Sequence, residues 1–318
     1  MINKNNDFCH LHLHTSHSLL DGLGLPEQWA QKASEMQFKY LACTNHGASD
    51  GLLKFQLACE KYNVIPILGV EGYIVPKAEE KNKGEKRAHI TIWIRDFQGY
   101  QNVLKMLTKA NLYYFYHRPR FDFDLVLEHT EGLCIGTACS SSFIHLDGGI
   151  DFFKKLNNKI GENLYCEVMS HDYPEQVDTN NKVLDLAEKY KRKIICTQDC
   201  HYIEQEDWES HDVLLAIQTC KKLNDPSRWI FNGKNFFLCS SEYQKERFKE
   251  QGVLYESEVK EGQKNTIEIA EKCSSFKIEK REIKLPMPPQ FTGRNEDEVL
   301  KELIISGFKK RFGVNIEL

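Results

Sequence analysis

The chain has 318 residues, of which 41% are hydrophobic and 28% charged, and a formal net charge of −4. That balance is ordinary for a soluble globular protein. It carries no run of about 18 apolar residues that could span a membrane, and it lacks the basic surplus of an autonomous duplex binder. Eleven cysteines sit mostly inside apolar runs, and Met1 to Asp7 has no apolar core of a secretory signal. Reduced thiols in a cytoplasmic protein are therefore expected.

Strands are expected at 8–14, 39–44, 64–75, 89–94, 132–138, 163–169 and 192–198, from apolar β-branched runs. Helical patterns lie between them, at 26–36, with Pro26 in the first turn, and at 51–63, 99–114 and 180–193. The charged segment 76–88 is expected to be a solvated loop. Strands alternating with helices predict a parallel α/β architecture, and seven such units predict a distorted TIM-like (β/α)7 barrel. Beyond about residue 205 helices dominate, at 209–223, 262–273 and 296–312, with a Pro-rich linker at 284–293. The division expected is 1–275, a barrel with a mainly helical extension, and 276–318, a linker and helix.

Four of the twelve histidines fall within eight residues: His10, His12, His14 and His17. In a strand His10, His12 and His14 would share one face, with Leu11 and Leu13 on the other. Three imidazoles on one face suit a metal better than a packed core. In open α/β sheets and barrels, chemistry gathers at the carboxyl ends of strands. Those ends deliver His12, His14 and then Asp21, His46 in "TNHG", Glu71 in "GVEGY", Cys139 in "TACSSS", and Asp199 with His201 in "QDCHY". His89 fits that rule poorly, because it stands at the start of its strand. Each residue alone is weak, since a lone His such as His129 or His145 is usually an ordinary surface or core residue. Buried charges recurring at successive strand exits need partners, and metal ions supply them.

The order HLHxH, TNHG, GVE, H, AC, QDCH resembles the PHP (polymerase and histidinol phosphatase) domain, in the version at the N-terminus of bacterial DNA polymerase III α subunits. "SLLDG", "EHTEGL", "SHDVLLAIQT" and "LNDPSRWIF" support the likeness, which runs on to "GFKKRFG". The resemblance implies a centre of three divalent metal ions with nine ligands: His12, His14, Asp21, His46, Glu71, His89, Cys139, Asp199 and His201. It implies one ion on His12, His14, Glu71 and Asp199, a second on Glu71, His89 and Cys139, and a third on Asp21, His46 and His201. His10 and His17 would then support the site or lie at the surface. Imidazoles and a thiolate suit zinc, and the carboxylates also suit manganese or iron.

One departure stands out: the resemblance implies TDHG where this chain has Asn45. An amide beside His46 is expected to weaken one metal site, and Asn45→Asp to tighten it. Asp122 and Asp124 mimic a polymerase metal pair, but are expected to be structural. "YHRPR" (116–120), beside Tyr113 and Tyr114, reads equally as a surface loop or as a patch steering a single strand. Cys196 and Cys200 are expected to pack.

The resemblance implies metal-dependent phosphodiester hydrolysis, specifically a 3′→5′ exonuclease on DNA, with hydroxide attacking the terminal phosphodiester and no covalent intermediate. No polymerase activity is expected of this chain by itself, since the palm domain lies beyond it. The implied partners are a DNA 3′ end, other polymerase III subunits or a separate polymerase fragment, and no membrane. The alternatives are a non-catalytic, metal-stabilised scaffold for a polymerase and a small-molecule phosphatase of the histidinol phosphate type.

Overall fold

The computed structural model describes residues 7–81, 83–84, 86–279 and 288–317. They fall into two compact units, Met1–Ile278 and Glu279–Leu318. The first contains α1 (Pro26–Glu35), β1 (Tyr40–Cys43), α2 (Leu52–Lys61), β2 (Ile65–Val75), β3 (Ala88–Ile94) and α3 (Phe97–Leu112). There follow β4 (Arg120–Asp122), α4 (Phe123–Glu128), β5 (Leu133–Gly136), α5 (Gly149–Ile160), β6 (Leu164–Met169) and α6 (Pro174–Tyr190). Last come β7 (Ile194–Thr197), α7 (Trp208–Gln218), α8 (Ser241–Gln251) and α9 (Glu256–Cys273). Pro26 and Pro174 open α1 and α6, where the missing N–H costs nothing. The carboxylate of Asp96 and the hydroxyl of Ser240 accept from backbone N–H groups to cap α3 and α8.

One seven-stranded sheet runs β1-β2-β3-β5-β6-β7, with β4 on the side of β2. The expected all-parallel order breaks at β3, which is antiparallel to both β2 and β5. The reason is the charged connection 76–87: its described residues hold no crossover helix, and the chain returns in the opposite sense. Nor is 8–14 a continuous strand. It makes isolated bridges, His10 to Leu41 and Leu13 to Cys200. Ala42 N–H donates to His10 O at 2.9 Å, and Cys200 N–H donates to His12 O at 3.0 Å. The N-terminal segment thus lies between edge strand β1 and the chain leaving β7. The fold is mixed α/β around a curled sheet.

Alternation along the strands sorts the concave face into two zones. Ile67, Trp93, Cys134, Tyr165 and Ile195 join Cys9 and Leu11 in an apolar cluster, covered by Ile269, Ala270 and Cys273 of α9. Two or four residues along the same faces stand Glu71, Thr91, Glu167 and Thr197, all buried. The interior is therefore oily where α9 covers it and polar at the strand exits. Gly136 sits at the junction: a Cβ there would meet the Trp93 ring at 2.7 Å and Glu167 Oε2 at 2.9 Å.

The second unit contributes α10 (Glu296–Phe312), capped by Asn295, with Glu296, Asp297 and Glu298 in its first turn and Lys309, Lys310 and Arg311 in its last. That charge order complements the helix dipole. Residues 284–287 of the Pro-rich stretch lie outside the described residues.

Candidate metal centre

The nine residues singled out by the sequence converge on one place. His12 Nε2 lies 3.2 Å from Glu71 Oε1 and 3.3 Å from Asp199 Oδ1. His14 Nε2 lies 3.1 Å from Glu71 Oε2 and 3.3 Å from Asp199 Oδ1. His46 bridges two carboxylates, with Nδ1 2.9 Å from Glu71 Oε2 and Nε2 3.0 Å from Asp21 Oδ2. His201 Nε2 is 3.8 Å from Asp21 Oδ2. His89 Nδ1 is 3.0 Å from Glu71 Oε1 and 3.4 Å from Cys139 Sγ. Three groupings could each hold an ion: His12, His14, Glu71 and Asp199; His46, Glu71 and His89; and His14, His46 and His201. The first matches the set implied by the resemblance. The other two place His46 and His14 where that set has Cys139 and Asp21, which stand beside them.

His89 belongs to the cluster because β3 is reversed. Tyr73 near the end of β2 pairs with His89 at the start of β3, so the start of β3 lies at the same rim as the exits of the parallel strands. The strand-exit rule fails for His89 only if β3 is taken as parallel.

The fit to cations rests on orphaned atoms. His12 Nε2, His14 Nε2, Asp21 Oδ1, His46 Nδ1, Glu71 Oε2, Asp199 Oδ1 and His201 Nε2 are all buried without a hydrogen-bond partner. Their short mutual distances are ion-pair approaches that are not aligned as hydrogen bonds. An unsatisfied buried polar group costs roughly 1–3 kcal/mol. Seven of them would cost on the order of 10 kcal/mol, which is comparable to the whole stability of a domain. Divalent ions at this place would satisfy every one, and the N, O and S donor set suits them.

The tautomers are fixed from behind. His12 Nδ1–H donates to Glu167 Oε1 at 2.8 Å, which turns Nε2 toward the cluster. Thr197 and Thr91 hydroxyls and Ala138 N–H hold the same carboxylate at 2.8, 2.9 and 3.0 Å. His14 Nδ1–H donates to Ser18 Oγ at 2.9 Å, and His201 Nδ1–H donates to Asp199 O at 3.0 Å. Glu167 was missed from sequence because it stands alone in the apolar run "LYCEVM". Its signal was that very isolation, an acid in a fully buried strand.

The hydrogen bonds of the Asn45 side chain go to Thr15, Ser18 and Cys43. Its Oδ1 accepts from Thr15 N–H at 2.8 Å and from the Ser18 hydroxyl at 3.3 Å, and no contact to the His46 ring occurs among the described residues. Ser18 Oγ in turn accepts from His46 N–H at 3.0 Å. Asn45 therefore acts as an acceptor toward Ser18, and through it on His14, while its Nδ2–H donates to Cys43 Sγ at 3.2 Å, a bond an aspartate would lose.

Burial opposes charge throughout the cluster; ion pairing overcomes it at His12, Asp21 and Glu71, but at His14 burial and the neighbouring His46 and His201 lower the pKa. Glu71, Asp199 and Glu167 hold His12 well above its ordinary pKa despite burial. The facing histidines hold Glu71 and Asp21 well below the carboxylate range, against the same opposition. Burial and then the Glu71 and Asp199 charges push the Cys139 thiol up; a cation alongside would reverse that, since it favours the thiolate. Two non-glycine residues at the rim, Ala138 (φ +61°) and Asp199 (φ +49°), sit in the left-handed region. Such strain, about 1–3 kcal/mol each, concentrates at functional sites.

The remaining candidates divide cleanly. His10 is fully buried, its Nε2–H donating to Cys239 O at 2.8 Å with Nδ1 3.3 Å from Cys200 Sγ, while His17 pairs with Asp50 at 2.7 Å. Cys196 and Cys200 pack in the core. Asp122 caps α4 through Leu125 N–H at 2.8 Å, and Asp124 has no part in the cluster. Within "YHRPR", Arg120 is buried and donates to Ala78 O at 2.7 Å, whereas Arg118 faces a cavity. That cavity, about 350 Å³, has Asp21, His46, His89, Cys139, Asp199 and His201 in its wall. The cluster is thus open to a ligand on one side.

The PHP domain model matches residues 10–186. Among curated proteins the chain is similar to the DNA polymerase III subunit alpha of Thermus aquaticus, 33% identical over 96% of this chain and 26% of that protein. The corresponding subunit of Aquifex aeolicus is also 33% identical, over 96% and 28%. The chain thus spans about a quarter of the length of these relatives. Among solved structures, a candidate metal-dependent phosphoesterase from Bifidobacterium adolescentis aligns at TM-score 0.45 and 13% identity, covering 76% of this chain and 95% of the other. No helix among the described residues is long and apolar enough to cross a membrane.

Proposed function

The chain belongs to the PHP domain family, and from that membership we propose that it hydrolyses phosphodiesters with bound divalent metals, as a 3′→5′ exonuclease on DNA. The observation that carries this reading is the set of seven orphaned, buried donor atoms at the wall of an open cavity. His12, His14, Glu71 and Asp199 would hold one ion, with His46, His89, Cys139, Asp21 and His201 holding two more. Bound ions would supply Lewis acidity toward a phosphoryl oxygen and acidify water at the site. Glu167 and Ser18 orient His12 and His14, so that their Nε2 atoms face inward. Asp21, Glu71, Asp199 and a Cys139 thiolate would offset four of six metal charges, leaving an excess that favours an anionic phosphodiester. Zinc suits the imidazole and thiolate donors; manganese or iron suits the carboxylates.

The relatives of this chain are DNA polymerase III subunits alpha, which is why DNA is the substrate proposed here. The test is release of nucleotides from a 3′-labelled single strand by metal-loaded protein. Stepwise shortening that stops on chelation and returns with metal supports the reading. A fully metal-loaded protein that leaves the strand intact overturns it in favour of a metal-stabilised scaffold.

A further inference from the structure

Two residues lead outward from the metal cluster on each of two paths. From His201 the path runs to Phe231, with ring centroids 4.8 Å apart, and on to Trp229 at 5.1 Å. From His46 it runs to Tyr73, stacked at 5.3 Å, and on to the Arg118 guanidinium 5.9 Å from the Tyr73 ring. Arg87 joins Arg118 in lining the same cavity. Neither arginine forms an ion pair among the described residues, so both charges are free for an anion.

Trp229 is 53% exposed, although Trp29 and Trp93 are fully buried. It is nonetheless held in place. The neighbouring Arg228 forks onto both carboxylate oxygens of Asp212 in α7, one at 2.6 Å, and its Nε–H donates to Leu223 O at 2.9 Å. A large ring kept partly in water by a rigid anchor is a prepared surface rather than a frayed loop. Phe231 stands edge-on to it, between the ring and the cluster.

We propose that Trp229 and Phe231 form a stacking platform for an unpaired nucleobase, while Arg118 and Arg87 grip the adjoining backbone phosphate, so that the cavity takes the frayed end of a single strand. The proposal rests on the phosphodiester reading above, and names what selects the substrate of that site. Stacking on aromatic side chains is tolerant of base identity, and paired cations supply affinity without sequence information. Base-paired ends are disfavoured, because a base held in duplex cannot reach the ring.

The experiment measures binding of a 5′-fluorescein oligothymidylate to metal-loaded protein by anisotropy, with a phosphorothioate 3′ end to block cleavage. A second probe carries an abasic 3′ terminus. Trp229→Ala should weaken the first probe at least about fivefold, leave the abasic probe unchanged, and be rescued by Trp229→Phe. Arg118→Ala should weaken both probes and flatten the salt dependence. Equal affinity of Trp229→Ala and wild type for the base-bearing strand, equal weakening of both probes, or no binding by wild type overturns the platform. Failure of hydrolysis with intact, Trp229-dependent binding would instead sink the exonuclease reading and leave the platform standing.

Discussion

Glu167 Oε1 stands 2.8 Å from His12 Nδ1, and both side chains are fully buried. Four donors converge on this carboxylate: the His12 ring, two threonine hydroxyls and the Ala138 N–H. It fixes the tautomer that turns His12 Nε2 toward Glu71 and Asp199. Partners of this kind typically set metal affinity within a factor of about 10–100.

Glu167→Gln is therefore expected to lower affinity for one ion by about 10–100-fold. A glutamine presents an NH2 where an acceptor is required, and the Ala138 N–H cannot rotate away. Chelator competition reads the affinity directly. An unchanged constant would mean that His12 is held by packing alone.

Asn45 and Ser18 give a contrasting pair. Ser18 Oγ touches His14 and the His46 backbone, while the Asn45 side chain meets the same network through Ser18. Ser18→Ala should cost about tenfold in affinity at the ion held by His14, whereas Asn45→Asp should change it less than Ser18→Ala does. Metal titrations of the two variants decide the order, and a larger effect from Asn45→Asp would return the site to the simpler expectation drawn from TDHG.

His14→Ala should abolish hydrolysis and shrink the gap in melting temperature between metal-loaded and chelated protein. Ions that bind only the folded state contribute about 4 kcal/mol at a thousandfold excess over Kd. Calorimetry with and without chelator measures the gap. A variant whose gap equals that of wild type would place the bound metal elsewhere.

How far the centre was legible in sequence depends on the element. The carboxyl-end rule located Asp199, just past the end of the apolar strand β7, and Glu71, the one acid of the otherwise apolar strand β2, although Glu71 lies inside that strand and is paired with Thr91 rather than standing at its exit. It failed for His89 because strand direction is not written in a strand's own pattern; the charged 76–88 segment, which reads as a loop rather than a crossover helix, was the available clue. The segment 8–14 alternates like a strand, yet its neighbours bridge it only at His10 and Leu13. The helices α4, α5 and α8 went unread. α4 has only six residues, and α8 is polar around most of its surface, with Ser241, Gln244 and Phe248 as its buried residues. Glu167 escaped notice because a buried acid without a neighbouring motif carries no spacing signal.

His171 supplies a pH test at a residue outside the ligand set, though the Asp199 and His201 charges also act on it. Burial lowers its pKa below the ordinary 6.5, while its Nδ1 lies 3.0 Å from Asn235 Oδ1. Its folded-state value is depressed, so the unfolded chain binds the proton more readily. The contribution of neutral His171 is complete above about pH 6.5 and declines as pH falls below it. Urea unfolding of chelated protein at pH 7.5 and pH 5 should show a smaller loss of stability on acidification for His171→Gln than for wild type. Parallel losses would mean that His171 is protonated in the fold.

The most direct test of the centre is elemental analysis of protein purified without chelator, together with protein reconstituted in excess zinc or manganese and desalted. The geometry predicts about three tightly held ions per chain, since Glu71 can be shared by ions spaced about 3.5–4 Å apart, and their loss in His12→Ala or His14→Ala. A protein that retains no metal in either preparation would contradict the account, because the seven orphaned atoms would then need a different partner.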